Sequence, residues 1–212
     1  CSSDLSSTEI KGQIKGDQTI DYVVRASAGQ SMSVAMKGSN GAGYFNVLPP
    51  GSSDVAMHNS SMNGDFKAML PADGDYKVRV YLMRSAARRN ETSNFTLSVG
   101  VTGKPLAALP AAQDAKIKGT PFHASANISC VAPYDPAAAK CEASVVRRGR
   151  DTTGTVEVRG PNGYRRTVLI VAGKFAAADT VEPVTVTRAG DVIKVSVGSN
   201  EKFEFPDVLL IG

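Results

Sequence analysis

Short runs in which apolar and polar residues alternate one by one, cut by clusters of Gly, Pro, Asn and Asp, constrain this 212-residue chain most. Tyr76, Val78 and Val80 alternate with Lys77 and Arg79, directly after the turn-forming Pro71-Ala72-Asp73-Gly74-Asp75. Ile20, Tyr22 and Val24 form a second such row, and Met32, Val34 and Met36 a third. Alternation by two places side chains on one face of a strand, whereas a helix needs them three and four apart. The pattern predicts strands over residues 9–15, 19–25, 31–37, 44–48, 66–70, 76–82 and 95–101, with a loop at 52–65. Seven or eight short strands between turns imply a β-sandwich.

The second half reads the same way. Strands are expected over residues 124–129, 142–147, 155–159, 165–172, 184–188, 192–197 and 202–205. Gly160-Pro161-Asn162-Gly163 marks a hairpin turn between two of them. We therefore expect an all-β protein of two domains. Residues 1–8 form a tether, 9–101 a jelly-roll-like sandwich, 102–116 an Ala/Pro-rich linker, and 117–212 a smaller antiparallel β domain with one disulfide.

Hydrophobic residues make up 42% of the chain, enough for a packed core, but Trp is absent and aromatics are only 6%. Val, Leu, Ile, Ala and Met must then fill the interior. The net charge of +4 divides as +2 in each half. Neither half carries the basic bias of a nucleic-acid-binding domain. No apolar run approaches the roughly eighteen residues that span a bilayer.

Cys130 and Cys141 flank an Ala- and Pro-rich segment with neither a His nor a third Cys nearby to complete a zinc site. A disulfide is expected here, free buried thiols being the alternative; it would add roughly 3 kcal/mol and imply an oxidising compartment. Cys1 is then the odd thiol. With the Ser/Asp-rich stretch that follows, it resembles the mature start of a bacterial lipoprotein, whose N-terminal Cys is acylated and holds the protein to the outer membrane. A sequence that merely begins at a Cys is the plainer reading.

The segment Gly74-Asp75-Tyr76-Lys77-Val78-Arg79-Val80, followed by Arg84-Ser85-Ala86-Ala87-Arg88-Arg89 and Phe95-Thr96-Leu97, resembles the C-terminal signature of periplasmic inhibitors of g-type lysozyme. Asp21-Tyr22 and Ala28-Gly29-Gln30 are similar to that family's upstream strand and turn. The same features resemble the bacterial pre-peptidase C-terminal β-sandwich. The resemblance covers residues 9–101 and implies a non-enzymatic binding protein of the periplasm that occludes a lysozyme cleft. The second half resembles an uncharacterised proteobacterial domain, which carries no function across.

The residues themselves single out Arg84, Arg88 and Arg89 as a basic knob beside a strand end. A permanently charged, forked guanidinium suits the carboxylates of a glycan-cleaving cleft, and Tyr76 and Tyr81 lie near enough in sequence to join it. The ordinary alternative is a solvated loop paired to Glu91. An adhesion or carbohydrate-binding module of the envelope, with peptidoglycan as partner, is the second functional reading. His58, with Ser60 and Asp65 nearby, forms no recognisable triad. Asp73, Gly74 and Asp75 supply too few oxygen ligands for calcium. Arg147, Arg148, Arg150, Arg165 and Arg166 are expected in solvated turns, with Tyr164 the single aromatic near them. No cofactor, metal or nucleic acid is expected.

Overall fold

The computed structural model describes residues 7–133 and 135–212, without the side chains of 135–138. The expected lipidation site, Cys1, lies outside the described residues. The chain forms two compact units, Cys1–Pro105 and Leu106–Gly212.

The first unit contains β1 (Ser7–Lys15), β2 (Thr19–Ala26), β3 (Ser31–Gly38), β4 (Gly43–Leu48), β5 (His58–Asn59), β6 (Phe66–Met69), β7 (Gly74–Leu82) and β8 (Thr92–Thr102). Two single-turn helices, α1 (Ser60–Asn63) and α2 (Arg84–Arg88), interrupt them. One antiparallel sheet has the order β1-β8-β3-β6 and the other β2-β7-β4-β5. First pairs with eighth, second with seventh, third with sixth and fourth with fifth. This is a long hairpin rolled into two facing sheets, the jelly roll. Each strand therefore needs one apolar face. Tyr76, Val78 and Val80 are fully buried, as the alternation predicts, and pack with Met32, Phe45 and Leu97. Gly12 sits under the Phe95 ring; a Cβ there would come within 2.5 Å of Phe95 Cζ.

Two local expectations needed changing. β8 starts three residues before Phe95, because outward Thr92 and Asn94 alternate with inward Ser93 and Phe95. The expected loop at 52–65 carries β5 and α1. His58 is buried there against Phe45 and Phe66, with Nε2 2.9 Å from the Gly64 carbonyl. On the outer face of the second sheet, Arg79 donates two hydrogen bonds to Asp21, at 2.7 and 2.8 Å.

The second unit contains β9 (Ala124–Ala132), β10 (Asp135–Arg147), β11 (Gly154–Arg159), β12 (Arg165–Val171), β13 (Lys174–Ala178), β14 (Val184–Ala189), β15 (Val192–Val197), β16 (Glu201–Pro206) and helix α3 (Val208–Ile211). Its single antiparallel sheet runs β13-β12-β11-β10-β9-β16-β15-β14. Neighbours in the sheet are thus neighbours in sequence, except that β16 closes onto β9. β13 and β14 approach each other without a hydrogen-bonded ladder. Cys130 and Cys141 are disulfide-bonded across β9 and β10, 5.8 Å apart at Cα, and lie in the core with Phe203 and Phe205.

Arg147, Arg148 and Arg166 are not solvated, which corrects the sequence reading, whereas Arg150 is exposed as expected. Arg166 bonds Glu201 at 2.7 Å and Asp179 at 2.9 Å, and its side chain is only 12% exposed. Tyr164 donates to the same Glu201. Desolvation pushes the Tyr164 hydroxyl and the Asp179 carboxyl up from their ordinary values, although Arg166 pulls both the other way. Arg147 donates to the carbonyl of Leu209 in α3 and to Asp114. That contact satisfies a helix-end acceptor. Arg148 is also buried, and Arg159 and Arg165 both hold Glu157. Each cation meets an acceptor, as buried charge requires.

Replacing both Cys130 and Cys141 with Ala should lower the stability of the second unit by about 3 kcal/mol, read as the shift of its denaturant midpoint. Unchanged unfolding would remove the structural role of the bridge. Arg79 holds the Asp21 carboxyl below its ordinary range. The stabilisation is then fully present above the unfolded pKa of about 4 and is lost as pH falls through the lower folded value. Asp21→Asn should cost up to about 1 kcal/mol at neutral pH, and the gap to wild type should close in acid. A gap that persists in acid would contradict the assignment.

Candidate functional site

The chain must cross from one sheet to the other between β7 and β8, and sheets of a sandwich lie about 10 Å apart. Helix α2 makes this crossing. Leu82 ends β7 in the core, and Met83 N then donates to the Ala42 carbonyl at 2.9 Å. Ala86 is fully buried and pins the helix to the core. A larger residue there would have to displace that packing, so the small Ala between arginines sets which side faces water.

The exit of α2 is closed as firmly. Asn90 N donates to the Ala87 carbonyl at 2.9 Å and Glu91 N to the Ala86 carbonyl at 3.1 Å, while Asn90 takes φ 54°. This is a Schellman cap with Asn in the left-handed position. Glu91 O then accepts from Gly16 N at 2.9 Å, which ties the crossing to the β1–β2 turn.

Arg84, Arg88 and Arg89 are exposed. Arg84 and Arg88 form no ion pair or hydrogen bond with their side chains among the described residues, whereas Arg89 Nε lies 2.6 Å from Glu91 Oε1. Two positions four apart on one helical turn share a face, so the Arg84 and Arg88 side chains leave from the same side of α2. Tyr81, the last outward residue of β7, is half-buried; its hydroxyl donates to Asn59 Oδ1 at 3.2 Å. The ring of Tyr44 lies beside it, 6.4 Å between centroids.

Tyr76 does not join this surface. It is fully buried, and its hydroxyl donates to the Ala72 carbonyl at 2.8 Å. Being one place out of phase with Tyr81, it falls on the core face of β7, so it is a packing residue and no partner contact. Asp73 accepts from Ala28 N and Asp75 pairs with Arg25, so these carboxylates serve turn and strand contacts. Sequence reasoning missed Tyr44 and Asn59. Nothing local marks them, because only the β4–β7 register sets Tyr44 opposite Tyr81.

What this surface can do chemically is present two unneutralised guanidinium groups on a turn fixed at both ends, with an aromatic pair at the end of the strand that leads into it. No family model matches the chain. The inhibitor of g-type lysozyme of Escherichia coli (strain K12) is 28% identical over 99 residues, which is 45% of this chain and 73% of that protein. The crystal structure of the periplasmic inhibitor of g-type lysozyme from Aeromonas hydrophila is 33% identical, covering 48% of this chain and 91% of that one, at a TM-score of 0.44. The Salmonella Typhimurium inhibitor is 30% identical over 45% of this chain and 91% of its own, at a TM-score of 0.37. Through just under half of its length the chain is thus similar to an inhibitor of g-type lysozyme.

Proposed function

We propose that the first unit inhibits g-type lysozyme in the periplasm by occluding its glycan cleft, with Arg84 and Arg88 as the principal anchors. The observation that carries this reading is the exposure of both guanidinium groups without an internal acceptor among the described residues, on a turn locked by Ala86 and the Asn90 cap. A backbone turn already fixed has no loop-ordering cost on binding, so only the arginine side chains lose freedom. A glycan-cleaving cleft supplies carboxylates, to which a guanidinium fork donates in pairs. Arg89 contributes less, because it must first leave Glu91. Tyr81 and Tyr44 supply aromatic surface at the end of the strand that leads into the turn. The Cys130–Cys141 disulfide supports an oxidising setting such as the periplasm.

The intact chain should reduce lysis by a g-type lysozyme stoichiometrically. Arg84→Ala/Arg88→Ala should weaken that inhibition by about tenfold or more, as loss of buried interface arginines does. Arg25→Ala, at the far end of β2 and 83% exposed at its side chain, should leave it unchanged. A chain that never slows lysis, or equal losses in both variants, would sink the proposal. Asn90→Ala should destabilise the first unit by about 1 kcal/mol, while Asn90→Gly, which tolerates positive φ, should cost less.

A further inference from the structure

We infer that the outer face of the β1-β8-β3 sheet binds a carboxylate- or phosphate-bearing polysaccharide through Lys11 and Lys37. The inference stands apart from the inhibitor reading and uses a different surface.

The two outer faces of the jelly roll differ in how their charges are satisfied. On the β2-β7-β4 sheet, Arg25 pairs with Asp75 and Arg79 with Asp21 and Asp54, and Lys77 is the remaining basic residue, near Asp21. On the other sheet, Lys11, Lys15, Lys37 and Lys67 all point outward and are exposed, with Glu9 as the acidic residue of the same rows. None of these lysines forms an ion pair among the described residues. An uncompensated patch of one sign draws a polymer of the other.

The register then sets the spacing. Lys11 and Lys37 both lie opposite Thr96 of β8, one on either side. Two strand spacings separate them by about 10 Å. Between them is an open depression of about 380 Å³, lined also by Gly12, Ser39, Asn94, Thr96 and the inward-facing, buried Phe95. Two ammonium groups flanking hydroxyls and an amide match an anionic sugar, whose charge and hydroxyl groups need both kinds of partner. The rows carry no aromatic side chain facing outward, which removes the stacking platform that single-stranded nucleic acid uses. Met69 is the single large exposed apolar residue on this face, too little to enter a bilayer.

The test is calorimetric titration of the full chain with polygalacturonate as the carboxylate probe and dextran phosphate as the phosphate probe. Neutral dextran and phosphatidylglycerol vesicles run alongside. Binding to either charged polymer should weaken as salt rises. Lys11→Gln/Lys37→Gln should lower the affinity about tenfold or more, with unchanged thermal unfolding and unchanged lysozyme inhibition. Lys77→Gln, on the opposite outer face, should have no effect. Failure to bind both charged polymers, equal loss in Lys77→Gln, or binding to vesicles without binding to either polysaccharide would overturn the inference.

Discussion

The first unit depends on the pairing of β1 with β8, which joins the two ends of the rolled hairpin over nine successive residue pairs from Ser7↔Gly100 to Lys15↔Thr92. Because successive strands lie in opposite sheets, except β4 and β5, which pair within one, every other connection must pass over the edge of the core. Like the β5–β6 crossing through α1, the β7–β8 crossing is built as a helical turn. Its arginines are therefore held by the same fold that closes the sandwich: Ala86 from below, Ala42 at its entry, and Gly16 at its exit. Charge at this place costs the core nothing, since the side chains leave from the solvent side of the turn.

The second unit solves burial differently. Its interior accepts Arg166 between Glu201 and Asp179, and Arg147 against the end of α3. A hydrophobic substitute for such a set is often no less stable, whereas removal of one partner leaves a buried charge unmatched. These groups fix which strands and ends meet, because Arg166 on β12 selects Glu201 on β16. Arg84 and Arg88 of the first unit thus face water, whereas Arg147 and Arg166 of the second are spent within the fold.

Much of the fold was legible because period-two alternation has one physical cause, a sheet with one face in the core. Tyr76, Val78 and Val80 announced their strand, and Gly160 to Gly163 their hairpin, where Asn162 and Gly163 take positive φ. The exposed knob was also legible, since arginines flanking Ala86 follow a strand that ends in turn-like sequence. Tyr76 was misjudged because nearness in sequence was weighed above its phase along β7. The acceptors of Arg166 could not be read, as Glu201 lies 35 residues away and only the closed sheet brings it near. The Tyr44–Tyr81 pair was hidden for the same reason.

The two strand orders also divide the chain in time. In the first unit the earliest strand finds its ladder only on the last, so nothing before Thr92 can complete the sheet of β1 as the chain emerges from the ribosome or a secretion channel. Pairing over such separation is slow. In the second unit each strand from β9 to β13 meets its partner immediately, and only the β16–β9 closure waits for the end. The half of the chain that arrives first must therefore keep β1 unpaired until β8 has emerged.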